Sequence, residues 1–200
     1  MQERGNKKMK KIATLFERVY EGHQKVDILN NVTPGMEWVL SGEGTATVKI
    51  DGSCCAIING ELYKRYDAKH GKKPPEGAVP CCEPDPVTGH WPHWVKVNPG
   101  TKADVWFMEA YQNSNGSELE DGTYEAIGPH FQNNPHGLDK DVLEKHGIRI
   151  ISDVPRTFDG IREYLSEHVI EGIVFWKDGK PQCKIKRSDF GFSWPGRKED

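Results

Sequence analysis

Apolar positions along this chain change period several times, and each change marks an element. Ile12, Leu15, Phe16 and Val19 fall at helical spacing with Gly22 as a natural stop, so the spacing predicts an N-terminal helix within residues 1–22. Residues 45–50 alternate as a strand and run into Asp51-Gly52, a turn signal. Residues 54–58 form a short apolar run of strand type. Asn59-Gly60 then predicts a tight hairpin whose second strand covers 61–66. Strand patterns return at 105–110, 123–127 and 149–152. Residues 158–168 read as a helix capped by Thr157. A second hairpin closes the pattern: a strand over 170–176, a turn at Asp178-Gly179 and a strand over 182–187.

The stretch 69–102 is rich in Pro, Gly, His and Lys and reads as a long loop or insertion, and 188–200 reads as a C-terminal tail. No repeat or linker interrupts the pattern, so a single domain over 1–200 is expected, of α+β class and built on antiparallel sheets. Two hundred residues bury enough surface to fold without staples. The basic residues Lys7, Lys8, Lys10 and Lys11 precede no apolar run, so neither a signal peptide nor a membrane span is expected. Five cysteines, four of them in the adjacent pairs Cys54-Cys55 and Cys81-Cys82, do not form a disulfide framework. Reduced thiols and a cytoplasmic location are the expectation. The formal net charge of −3 argues against a general nucleic-acid coat, but phosphate binding needs only a local basic surface. Residues 64–73 and 184–187 offer two such patches, each of which also fits a solvated charged face.

The candidate chemistry begins at Lys49-Ile50-Asp51-Gly52-Ser53, at a strand end entering a turn. Alone, such a motif arises by chance in roughly one in a hundred chains of this size, and a turn with an exposed lysine explains it equally well. Four further signals in chain order change the weight: Arg65 one hairpin later, Glu125 before Ala126-Ile127-Gly128-Pro129, Glu171-Gly172-Ile173-Val174, and Lys184-Ile185-Lys186. A lysine amine attacks phosphorus only when neutral, and at an ordinary pKa about one in a thousand is neutral near pH 7.4. Arg65, Lys184, Lys186 and a bound metal would depress that pKa, and would also neutralise a triphosphate and the charge developing on it. Lys184 and Lys186 stand two apart on a strand, so both project from one face, as two contacts to one phosphate require. Glu171 is the candidate ligand for a divalent ion, since magnesium prefers oxygen donors with several waters retained.

These five motifs, in this order, resemble the covalent nucleotidyltransferases, the superfamily of DNA ligases, RNA ligases and capping enzymes. The resemblance implies a nucleotidyltransferase fold, with Lys49 as nucleophile. Lys49, Asp51, Gly52, Arg65, Lys184 and Lys186 would then hold the nucleotide, Glu125 its ribose hydroxyls, and Val174 one face of its adenine. The segment 125–134 is similar to a stretch of RNA ligases that seal or repair RNA ends. Closer still is the family containing the vertebrate 5′-phosphate to 3′-hydroxyl RNA ligase, matched by Lys49 to Cys55, Gly89 to Val95, Asn134 to Leu138 and Gly191 to Pro195. That resemblance spans roughly residues 40–196, although the chain is shorter than expected of a vertebrate member between 110 and 123. It implies ATP and Mg2+ (or Mn2+) as cofactors, and RNA with 5′-phosphate and 3′-hydroxyl ends as substrate. Lys49 would take AMP from ATP, pass it to a 5′-phosphate, and leave a 3′-hydroxyl to displace it. Each step is an in-line displacement at phosphorus, so one cationic site serves all three.

Other signals carry less. Cys81, Cys82, His90 and His93 invite a zinc reading, but adjacent cysteines chelate one ion poorly. Cys54 and Cys55 read as small buried hydrophobes rather than nucleophiles. Tyr63, Tyr66, Trp91, Trp94 and Trp194 fit either base stacking or core anchoring. A DNA ligase or a capping-type guanylyltransferase would normally carry an OB-fold domain after the second lysine pair, and only fourteen residues follow Lys186 here, so no OB-fold domain is expected. The remaining alternative is a non-catalytic RNA-end-binding module, which would need no lysine nucleophile. A monomer is expected.

Overall fold

Backbone pairing organises this chain into three sheets, described in a computed structural model over residues 12–22, 24–68, 72–85 and 89–195. In chain order the first elements are β1 (Ala13–Thr14), β2 (Phe16–Glu21), β3 (Gln24–Val32), α1 (Glu37–Leu40) and β4 (Thr45–Val48). Next come β5 (Ser53–Ile58), β6 (Glu61–Ala68), β7 (Val79–Pro80), β8 (Trp91–Lys96), α2 (Val105–Asn113) and β9 (Gly122–Ile127). The rest are β10 (Val142–Lys145), β11 (Ile150–Ile151), α3 (Phe158–Glu167), β12 (Gly172–Lys177) and β13 (Lys180–Lys186). The class is α+β with mainly antiparallel sheets and few helices, as expected. The chain divides into two compact units where the sequence pattern predicts one domain: Asp51–His146, and Lys11–Ile50 with Gly147–Asp200.

In the second of these units the strand order is β1-β13-β12-β4-β11, antiparallel except for β1 beside β13, and β2 and β3 form a separate hairpin. One face of the five-stranded sheet buries Ala46, Ile173, Phe175, Cys183 and Ile185 against Ile161 and Leu165 of α3. Ile161 and Leu165 are four apart and so share one helix face. The Thr157 side chain accepts the Gly160 N–H and satisfies one orphan donor of the first turn.

The unit Asp51–His146 carries a fully antiparallel sheet of order β10-β9-β5-β6-β8-β7. Cys55 and Ile57 face a core completed by Ala110 of α2, while Ala56 and Ile58 face a second cluster with Cys81 and Trp94. A strand buried on both faces explains the unbroken apolar run at 54–58. Asn59 and Gly60 both take positive φ, as the tight β5–β6 hairpin requires.

Four expectations are corrected. The described part of the N-terminal helix is instead β1 and β2. Ala13 and Thr14 pair with Cys183 and Lys184, and the consecutive residues Leu15 and Phe16 are both fully buried, which tertiary pairing provides and one amphipathic helix face does not. Residues 1–11 lie outside the described residues. The run 105–110 is helix rather than strand, because Phe107, Met108, Ala110 and Tyr111 gather on one side against the core. Short apolar runs of this kind fit both periods. Within the expected loop 69–102, β8 is an interior strand between β6 and β7, and its Trp94 is buried. Its neighbouring prolines and histidines hid it. In the expected tail, Asp189 and Trp194 are buried, so those residues belong to the unit.

Phe175 is fully buried at the centre of β12. Phe175→Ala should destabilise its unit by about 3–5 kcal/mol in chemical denaturation. A loss below about 1 kcal/mol would contradict the core assignment.

Candidate active site

The face of the five-stranded sheet opposite the core gathers the lysines. Register places Thr14, Lys184, Val174 and Thr47 side by side across β1, β13, β12 and β4. One step along, Gly172 lies beside Lys186, and Lys49, just past β4, donates its backbone N–H to Gly172 O at 2.8 Å. Glu171 is buried, and its carboxylate is shared: Oε2 meets Lys49 Nζ at 2.5 Å and Oε1 meets Lys186 Nζ at 2.9 Å. The strands can carry this arrangement only because residue 172 is glycine. A Cβ there would lie 2.2 Å from Ile185 O and 2.9 Å from Lys186 Cα.

Two further groups complete the cluster, and sequence patterns revealed neither. Arg18 of β2 sends Nη2 to both carboxylate oxygens of Asp189, at 2.7 and 2.9 Å. Asp189 Oδ2 also accepts the Lys186 backbone N–H at 2.9 Å, tying the β2–β3 hairpin to the root of Lys186. Arg18 carried no signal because its segment has a helical period. The cluster thus holds four cations (Arg18, Lys49, Lys184 and Lys186) and two carboxylates (Glu171 and Asp189), an excess of two positive charges. Lys184 feels the excess: burial first, then Lys49, Lys186 and Arg18, lower its pKa to about 8 against the pull of Glu171. A polyanion binding here would relieve that repulsion. Glu171 offers the carboxylate oxygens that a divalent cation would take as ligands in this cluster.

The other predicted residues lie in the unit Asp51–His146. Cys54 pairs with Glu125 across β5 and β9, and the Arg65 guanidinium of β6 pulls the Cys54 pKa down against its burial. Arg65 also binds Asp67, with Nε to Oδ1 at 2.8 Å. Glu125 Oε2 accepts from His146 Nε2 at 2.7 Å, and His146 Nδ1 lies 2.9 Å from Thr123 Oγ1. His146 is a partner that the sequence did not reveal. Gly52 is required by space: a Cβ would sit 2.2 Å from Ala126 O. His136 Nε2 donates to Asp51 O at 2.9 Å and fixes the turn after the lysine motif. Lys64, counted in the basic patch, is paired with Asp104, and residues 69–71 of that patch lie outside the described residues.

Cys54, Cys55, Cys81 and Cys183 are held as thiols rather than thiolates. Burial pushes Cys54 and Cys55 well above the ordinary thiol range and raises Cys81 and Cys183 to about 12. Cys81 and His93 of the zinc reading are buried, with His93 Nδ1 2.8 Å from Trp91 O. The donors that converge among the described residues are others: Cys54 with Glu125 and His146, and Glu109 with His130 and Asp141.

Lys184 generates a pH prediction. With its pKa lowered to about 8, it is a cation below that value and loses its charge as the pH rises through it. Calorimetric affinity for inorganic pyrophosphate should therefore fall between pH 7 and pH 9, and Lys184→Met should weaken binding at pH 7 and flatten the profile. Identical profiles for the two proteins would reject Lys184 as a phosphate contact.

No family model matches the chain. It is similar to proteins called RNA ligase 1 from Rattus norvegicus, Danio rerio and Mus musculus, 26% identical to each over 75% of this chain and 68% of the relative. Over three-quarters of its length, then, this chain is similar at low identity to proteins called RNA ligase 1.

Proposed function

We propose that this chain is an ATP-dependent RNA ligase that joins 5′-phosphate and 3′-hydroxyl ends through AMP carried on Lys49. One observation carries the reading: Lys49 and Lys186 share the buried Glu171 carboxylate, with Lys184 beside them under the repulsion of its neighbours. The names of the distant relatives support the substrate class.

At rest the Lys49 ammonium is held by Glu171. Attack requires the neutral amine. Glu171 would hold the divalent ion, whose charge would offset the carboxylate and the phosphates. Once Lys49 Nζ has given one proton to solvent, its lone pair forms an N–P bond to the α-phosphorus as the bond to pyrophosphate breaks, and a second proton then leaves the nitrogen for solvent. Lys184 and Lys186, projecting from one face of β13, stay against the phosphoryl oxygens as charge develops. In the second step the Lys49 nitrogen takes up a proton from solvent and leaves as the amine while a 5′-phosphate oxygen displaces it, and AMP moves to the RNA end. In the third, a 3′-hydroxyl oxygen displaces AMP and gives up its proton. Of the remaining residues, the family resemblance assigns ribose hydroxyls to Glu125, a phosphate contact to Arg65 and an adenine face to Val174.

Incubation with α-labelled ATP and magnesium should give a labelled protein band that 5′-phosphorylated RNA discharges. Lys49→Ala should abolish the band, and Glu171→Gln should slow its formation about 100-fold or more, by analogy with other lost electrostatic stabilisers. Labelling with GTP alone would move the reading to a capping-type enzyme. No band with wild type in either metal, magnesium or manganese, would leave a non-catalytic RNA-end-binding module.

A further inference from the structure

Two flat rings lie stacked at the surface of the unit Asp51–His146, and the proposed chemistry uses neither. Trp106 stands on α2 away from the side that packs into the core, and leaves 40% of its area to solvent. Its indole lies against the imidazole of His130 with ring centroids 3.4 Å apart and planes 3° from parallel. A large exposed aromatic is costly to keep in water, and here it is held in place.

The holding structure is specific. His130 Nδ1 contacts Asp141 Oδ2 at 2.6 Å, and the His130 backbone N–H donates to Asp141 Oδ1 at 3.1 Å. Asp141 is fully buried, and its carbonyl accepts from Asn113 Nδ2 at 2.9 Å, so the loop is tied back to the helix that carries Trp106. Gly128, at φ +136°, leaves room for Asp141, whose Oδ1 would sit 2.5 Å from a Cβ there. Beyond His130, three successive non-glycine residues, Gln132, Asn133 and Asn134, take left-handed backbone with φ of 48°, 58° and 52°. Such conformations are unfavourable for each residue and persist where the surroundings enforce them, often at functional sites. Asn134 closes the loop through a reciprocal pair of hydrogen bonds to the Leu138 backbone. Both rings are therefore set before anything binds, so binding costs little in ordering them.

We propose that the Trp106–His130 stack is a platform for one unpaired base of the RNA strand being joined. The choice of RNA rests on the ligase reading above. Every base has a π face, so a third ring can extend the stack whatever the sequence, and this suits an enzyme that seals ends of varied sequence. The exposed lysines Lys102, one helical turn before Trp106, and Lys140, next to Asp141, supply cations for the flanking phosphates. The Glu109, His130 and Asp141 donors also lie close enough together for a metal, but His130 Nδ1 is engaged with Asp141 and the ring with Trp106.

The test is fluorescence anisotropy of the full chain with short labelled single-stranded RNAs, including a set with one abasic position moved along the strand. Trp106→Ala should weaken binding about tenfold, Trp106→Phe should restore most of it, and labelling by ATP alone should stay at the wild-type rate in both. One abasic position should weaken wild type by a similar factor and leave Trp106→Ala unaffected. Equal affinity of wild type and Trp106→Ala would overturn the platform, as would an abasic penalty of the same size in both proteins at every position. These arms need no catalysis: a wild type that binds RNA in this pattern without labelling by ATP would keep the platform and sink the ligase.

Discussion

A carboxylate taken out of water must be paired, and in this chain the consequences of that requirement spread outward from Glu171. Its two oxygens hold Lys49, just past β4, and Lys186 of β13. The pairing therefore fixes β4, β12 and β13 in register as well as in order. It also leaves Lys184 without the same compensation, so burial, together with the repulsion of Lys49, Lys186 and Arg18, falls on that residue. Breaking such a shared pair from one side strands the buried charge on the other. The cluster carries more cations than carboxylates, and the proposal of a phosphate site there rests on that excess.

The close approach at Gly172 belongs to the same constraint. β12 and β13 run near enough there that a single methyl group would strike Ile185 O. Without that approach Glu171 could not sit between the two lysines. Asp189 adds a tie from outside the sheet by joining Arg18 to the backbone of Lys186. The β2–β3 hairpin thereby gains a stake in the charge balance, although it contributes no strand to the sheet that carries the lysines.

How much of this was legible depended on distance along the chain. Lys184 and Lys186 could be placed on one face because alternation is local, and the Asn59-Gly60 hairpin and the Thr157 cap were legible for the same reason. Lys49 and Glu171 were marked by their motifs, yet their 2.5 Å contact joins residues 122 apart and no local rule reveals it. Arg18 meets Asp189 across 171 residues, and its segment carried a helical period that sheet pairing overrode. His146 was equally hidden, since nothing near it in sequence announces Glu125 as its partner. The helix at 105–113 was missed because a six-residue apolar run suits either period, and β8 because prolines and histidines masked an interior strand.

The buried thiols have a chemical consequence of their own. Oxidants and electrophiles react with thiolates, and burial keeps Cys54, Cys55, Cys81 and Cys183 protonated far above neutral pH. Cys54 stands in register beside Glu125, and Cys183 immediately precedes Lys184, so both lie close to residues assigned to the chemistry. A peroxide pulse that inactivates cysteine-dependent enzymes would find little to attack at these positions.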